Sequence, residues 1–362
     1  MRGMTDVVEL LQRLIAVDTH NPGGDEPRLC ADLGERLRAL GGDVRVETVT
    51  RDGAIGAYVI ATWGRPRLIV NAHVDTVPPN EGWSHDPFTA RVADGRVYGL
   101  GACDTKAAIA ATLCALEATP GRDLAVIFSG DEENCGTVVR AALTRERERL
   151  ADVTRAIVCE PTSLRAGVRH RGILALEARI DGRGGHSSRA DSEPATLLDA
   201  ARLAVAFGSW GHEQRERGPS GFTGMCMNVA KLDGGIAFNV IPSEARLTVS
   251  VRPPPGSDVE RVRDELFALA GAVVPRARLT VPIINPTFAT RSRDAFPAAL
   301  GEPVDLAFWT EAALWSEIGI DCVVWGPGDI GHAHAPNEFV PIVELERARD
   351  ILIDIVKAHG SG

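Results

Sequence analysis

The sequence predicts an α/β fold with a smaller α+β domain inserted into it, and three observations carry that reading. Short apolar runs at Leu68–Val70, Leu124–Phe128 and Ala156–Cys159 have the composition of buried parallel strands. Each hands over at once to residues that carry carboxylates or imidazole. Between about residues 170 and 283 the pattern changes to alternating apolar and polar residues, and afterwards it returns to the first type. A chain of 362 residues also exceeds the roughly 250–300 at which single cores stop growing. The expected division is a discontinuous principal domain over 1–169 and 283–362, with an inserted domain over 170–282.

Val7 to Val17 has apolar residues at helical spacing, with Thr5 and Asp6 as candidate N-caps. Asp18 to Gly24 breaks it, and Glu26 to Leu40 reads as a second helix ending at Gly41-Gly42. Val44–Val49 and Ala57–Ala61 follow as strands. The small, apolar run Thr105 to Ala118 reads as a helix packed closely on a sheet, and Arg140 to Leu150 as a charged helix. Within the insert, strands are expected at Leu174–Ile180, Ala245–Arg252 and Leu279–Ile284, and helices at Pro194–Phe207 and Asp258–Leu269. The tail supplies a helix opened by Ala307–Glu311, a strand at Cys322–Trp325 and a closing helix at Leu345–Ala358.

A net charge of −10 argues against nucleic acid or an anionic membrane as partner. No run reaches the roughly 18 apolar residues of a membrane span, and Met1–Asp6 lacks the apolar core of a signal peptide. The cysteines (Cys30, Cys103, Cys114, Cys135, Cys159, Cys226 and Cys322) are seven, an odd number, with no CxxC pair. They read as reduced, mostly buried thiols, so a cytoplasmic protein is expected.

Chemistry concentrates at the strand ends. His73 and Asp75 follow the first apolar run, Asp131, Glu132 and Glu133 the second, and Glu160 the third. Asp104 lies between a glycine-rich turn and a helix, and His332 and His334 come later. Imidazoles and carboxylates together suit one or two borderline divalent metals. A single ion would leave several carboxylates repelling one another, whereas a pair about 3.5–4 Å apart needs a bridging carboxylate and neutralises the excess. Of Glu132 and Glu133, one can bind metal while its neighbour stays free as a base. Metal pulls the pKa of a bound water towards about 7, where a nearby carboxylate can take its proton. A dinucleotide reading of Gly99-Leu100-Gly101 fails, because the third glycine is missing.

The strings NAHVDTVP, GLGACDTKAA, SGDEEN, CEPT, GGHSS and AHAPNEF, in order along nearly the whole chain, resemble the signature blocks of the di-zinc aminoacylase and exopeptidase family. Acetylornithine deacetylase, succinyl-diaminopimelate desuccinylase and glutamate-type carboxypeptidases belong to it. The resemblance implies a zinc-exopeptidase-like domain with a central mixed sheet and an inserted lid or dimerisation domain. It implies two divalent ions, zinc first and cobalt as an alternative, held by His73, Asp104 as bridge, Glu133, Glu160 and His334. It makes Glu132 the general base and Asp75 the carboxylate that orients His73. A histidine followed four residues later by glutamate fits His334 and Glu338, which leaves His332 as a loop residue.

In the insert, Gly184–Ser188 resembles the block whose histidine, here His186, reaches a partner subunit's active site and stabilises the oxyanion. The continuation Arg189-Ala190-Asp191 departs from the proline-containing form common in the family, which weakens the inferred dimer contact more than His186 itself. Asn239 and Arg252 match positions that bind substrate polar groups, and an arginine suits a carboxylate. Thr310-Glu311-Ala312 is similar to acetylornithine and acetylcitrulline deacetylases, where Glu311 can face an ammonium or a ureido group; a first-turn glutamate at a helix N-terminus is the plainer reading. The implied function is removal of acetyl from N-acetyl-L-ornithine in arginine biosynthesis by a homodimer. N-acetyl-L-citrulline, or a desuccinylase or dipeptidase activity, is the alternative.

Overall fold

Asp6 caps the first helix, Val7–Ile15, accepting the N–H groups of Val8 and Glu9. The computed structural model describes residues 5–51, 53–119, 123–134 and 136–358, so Cys135 and the opening Met1–Met4 lie outside the described residues. Two compact units form, one of Met1–Val168, Thr290–Val304 and Thr310–Gly362, the other of Arg169–Ala289 and Asp305–Trp309.

The first unit is built on a mixed sheet. Its strands lie in the order Asp43–Arg51, Ala54–Trp63, Leu124–Ser129, Leu68–His73, Arg155–Val158, Asp321–Val324, and then the strand that begins at Ala166. Leu68–His73 runs parallel to both Leu124–Ser129 and Arg155–Val158, and Asp321–Val324 runs parallel to Arg155–Val158. Every residue of Leu68–His73 and Leu124–Ser129 is buried, because helices cover both faces. On one face, Val70, Ala72, Val126 and Phe128 share a core with the helices Val7–Ile15, Glu26–Ala39, Lys106–Ala118 and Ile342–Ala358. On the other face lie Asn71 and Trp315 of the short helix Ala312–Glu317, the Trp315 indole donating to Asn71 Oδ1 at 2.9 Å. Alanines at 107, 108, 110, 111 and 115 let the helix Lys106–Ala118 sit inside from Lys106 to Leu116, as its composition predicts. A small sheet of Arg91–Ala93, Arg96–Tyr98 and Phe339–Pro341 completes the unit.

The charged helix is shorter and earlier than expected, at Thr137–Arg145, and residues 146–152 turn. Glu146 caps the helix, its N–H donating to Ala142 O at 2.8 Å, and its buried carboxylate accepts from the Tyr58 hydroxyl at 2.8 Å.

The second unit is a four-stranded antiparallel sheet in the order Cys226–Gly234, Glu244–Arg252, Ile173–Asp181, Arg278–Asn285. Leu174, Leu176, Ala178 and Ile180 alternate into a core with Leu247, Val249 and Val251. The helices Thr196–Gln214 and Val259–Val273 cover it through Leu203, Phe207, Val262 and Leu266. Cys226–Gly234, absent from the sequence expectation, is an edge strand whose residues are nearly all exposed. No described helix is long and apolar enough to cross a membrane.

Candidate metal centre

Parallel pairing brings the acidic loops of the first unit side by side. His73 stands opposite Ser129, and Asn71 opposite Val158. The pairing continues one step past the strands, with Val74 N–H donating to Ser129 O and Cys159 N–H to Asn71 O, each at 2.7 Å. Loops that leave the carboxyl ends of adjacent parallel strands converge, which is where ligands bind in such sheets. Asp104 reaches the same place from the Gly99–Thr105 turn, where Thr105 Oγ1 donates to His73 O at 2.9 Å. Gly101 has φ +77°, and a Cβ there would press on Thr76 and Lys106, so the turn needs glycine.

His73 Nε2 lies 3.0 Å from Asp104 Oδ1, and His334 Nε2 lies 3.4 Å from Asp104 Oδ2. His334 Nε2 also lies 2.9 Å from Glu133 Oε1. Two ligand groups result, His73–Asp104–Glu160 and Asp104–Glu133–His334, each with its donor atoms within 4.8 Å of one another. Asp104 is common to both, one oxygen towards each histidine. All five expected metal ligands are therefore brought together. His332 stays outside both groups, its ring stacked on Phe339 with centroids 4.1 Å apart.

The electrostatics fit cations. Burial pushes the Glu160 carboxyl far up, with Asp104 and Glu132 adding to it, and burial likewise raises Glu132. Glu133 is raised for the same reason. Burial also opposes the charge on Asp104, but hydrogen bonds from His334 and His73 outweigh it and hold the carboxyl below its ordinary range. Hydrogen bonds to Asp104 and Glu133 push His334 up to about 10. For His73 the opposing burial is outweighed by Asp104 and Asp75. Carboxylates outnumber imidazoles here, and the raised proton affinity of Glu132, Glu133 and Glu160 marks a place where added positive charge is favourable. Nitrogen and oxygen donors in two groups that share a carboxylate fit a pair of borderline divalent ions.

Asp75 has a wider part than the one expected. Its main-chain carbonyl receives His73 Nδ1 at 2.9 Å, while its carboxylate stands at 3.5 Å from that nitrogen. The carboxylate instead accepts the N–H groups of Glu132 and Glu133 and the amide of Asn21, each at 3.2 Å. Asn21 also donates to Asp131, whose φ is +64°. Sequence reading missed Asn21, though the Asn21-Pro22-Gly23-Gly24 break marked the turn that carries it.

Glu311 is 1% exposed, at the N-cap position of Ala312–Glu317. Its Oε2 accepts from Ser129 Oγ at 2.9 Å, Oε1 has no partner among the described residues, and burial pushes it up to about 7. Asn71 Nδ2 reaches the same Ser129 hydroxyl at 3.3 Å, so Glu311 belongs to a Trp315–Asn71–Ser129 network under the centre.

The remaining three expected residues belong to the second unit. His186 pairs with Val240 in a two-stranded ribbon, exposed, with Nδ1 2.8 Å from Ser188 Oγ. Asn239 is beside it, its carbonyl accepting Ser187 N–H at 3.0 Å. Arg252 ends its strand opposite Cys226.

Comparison with known proteins agrees with this geometry. Residues 69–358 match the model of "Peptidase family M20/M25/M40". The chain is 36% identical to an N-acetyl-L-citrulline deacetylase of Xanthomonas campestris pv. campestris, over 95% of this chain and 96% of that one. It is 33% identical to an acetylornithine deacetylase of Myxococcus xanthus, over 97% of each. The fold superposes on an M20 family metallo-carboxypeptidase of Sulfolobus solfataricus with a TM-score of 0.78 at 18% identity, covering 98% and 99% of the two chains. It superposes on a Bacillus subtilis M20 protein described as a dinuclear metal binding peptidase with a TM-score of 0.67 at 15% identity, covering 97% of each. By the extent of the family match and the identity to these relatives, the chain belongs to peptidase family M20/M25/M40 and is an amide-bond hydrolase.

Proposed function

We propose that this chain is a two-metal deacetylase that removes the acetyl group from N-acetyl-L-ornithine, a step of arginine biosynthesis. The observation that carries the reading is Asp104, a buried carboxylate shared by two ligand groups, one of them buried and the other opening to solvent at His334, in a chain whose relatives are named as deacetylases. His73 and Glu160 would hold one ion and Glu133 and His334 the other, with Asp104 common to both groups. Zinc suits these donors, and cobalt shares its ligand preferences. Bound divalent ions polarise the acyl carbonyl and acidify water.

Glu132 takes the proton of the attacking water and returns it to the leaving amine. Its burial, which raises its proton affinity, suits a group that must hold that proton between the two steps. Asp75 sets the geometry of the Glu132 and Glu133 backbone. In the homodimer, His186 of the partner subunit would donate to the developing oxyanion, and Asn239 and Arg252 would bind polar groups of the substrate, the arginine suiting its carboxylate.

The working form is a cytoplasmic homodimer joined through the inserted unit. The edge strand Cys226–Gly234 supports this, since it leaves Val229 and Leu232 41% and 42% exposed beside unpaired backbone.

N-acetyl-L-citrulline is the second reading. The Xanthomonas relative, named as an N-acetyl-L-citrulline deacetylase, favours it. Assay of acetylornithine, acetylcitrulline and succinyl-diaminopimelate side by side tests the choice. The highest kcat/KM is expected for acetylornithine. Leadership by acetylcitrulline establishes the second reading, and leadership by the succinyl compound overturns both.

A further inference from the structure

Glu338 is 2% exposed and belongs to neither ligand group. Its Oε1 accepts the main-chain N–H groups of Cys103 at 2.9 Å and Asp104 at 3.1 Å, and its Oε2 accepts that of Gly101 at 3.1 Å. Its own carbonyl accepts Gly99 N–H at 3.0 Å. One residue thus fastens the Gly99–Asp104 turn at four points. Successive N–H groups that converge in a glycine-containing turn make a cradle for an anion, and here the anion is a side chain of the same protein. Glu338 also stands four residues after His334, at the start of Phe339–Pro341, which pairs with Arg96–Tyr98. It therefore joins the turn that carries Asp104 to the segment that carries His334.

We propose that Glu338 is a positioning residue for the metal bridge: by gathering three N–H groups of the Gly101–Asp104 turn, it fixes the Asp104 carboxylate and its spacing from His334. This rests on the two-metal reading above. A carboxylate can accept on both oxygens, whereas a glutamine presents N–H groups on one side. Glu338→Gln keeps the shape but turns a donor towards at least one of the three buried N–H groups. Loss of such an outer partner typically costs about 10–100-fold in metal affinity.

The test is titration of the metal-free full chain with Co2+, followed by calorimetry and by visible absorption. Wild-type protein is expected to take two ions; fewer than two overturns the two-metal reading, and the proposal with it. With two ions on the wild type, Glu338→Gln is expected to bind them about 10–100-fold more weakly and with an altered cobalt spectrum. Glu338→Asp should fall between, and excess cobalt should restore kcat at unchanged KM. A folded Glu338→Gln protein that holds both ions with wild-type affinity and spectrum overturns the proposal while leaving the two-metal reading intact. If Glu338→Gln does not fold, Glu338→Asp decides by the same criteria.

Discussion

Asp75 Oδ1 accepts the main-chain N–H of Glu132 at 3.2 Å. The other oxygen holds Glu133 N–H at the same distance, so one carboxylate fixes the backbone of both the proposed base and a candidate metal ligand. Asp75→Asn keeps the size and loses the charge and one acceptor. Hydrogen bonds to a charged group contribute about 1.5–3 kcal/mol, so kcat should fall roughly 10–100-fold. KM and the bound metal should change little at saturating Zn2+. Steady-state kinetics with metal analysis of the same samples check this.

Glu132 is half-buried and Glu160 buried, and their roles separate on substitution. Glu132→Gln should keep the wild-type metal content and lose about 10²–10⁴ in kcat. Glu160→Gln should lose an ion, since Glu160 shares a ligand group with His73 and Asp104. Wild-type turnover by metal-loaded Glu132→Gln protein would remove Glu132 from the mechanism.

Stability should respond to pH through Glu26, which belongs to neither ligand group. Burial, with Asp75 and Asp131 adding to it, pushes its carboxyl up to about 8, and Oε2 accepts Ala57 N–H at 3.2 Å. The folded value lies above the unfolded 4.5, so the fold binds this proton more tightly. The stabilisation is complete below 4.5 and is lost as pH rises through about 8. Glu26→Gln mimics the neutral acid. Melting curves at pH 5 and pH 9 should show the variant gaining on the wild type at the higher pH, by roughly 2–4 °C for each kcal/mol recovered.

The clustering of the candidate ligands was readable in the sequence because most of them follow apolar runs whose burial is dictated by composition. Leu68–His73 and Leu124–Ser129 have no exposed residue, so their pairing places His73 beside the Glu132–Glu133 loop almost without choice. What was not readable depends on main-chain groups. Glu338 gathers three backbone N–H groups, and Asp75 two, and backbone donors leave no trace in residue type. The edge strand Cys226–Gly234 escaped for another reason: with almost every residue exposed, nothing forces its apolar residues to alternate. The network of Glu311 with Ser129 and Asn71 escaped as well, because partners far apart in sequence leave no local pattern.

The central claim is that Asp104 is shared by two ions. Anomalous diffraction from zinc-loaded crystals, collected on both sides of the zinc edge, measures this directly. The account predicts two peaks about 3.5–4 Å apart, one beside His73 and Glu160, the other beside Glu133 and His334, with an Asp104 oxygen on each. A single fully occupied peak, or two that do not share Asp104, would contradict it.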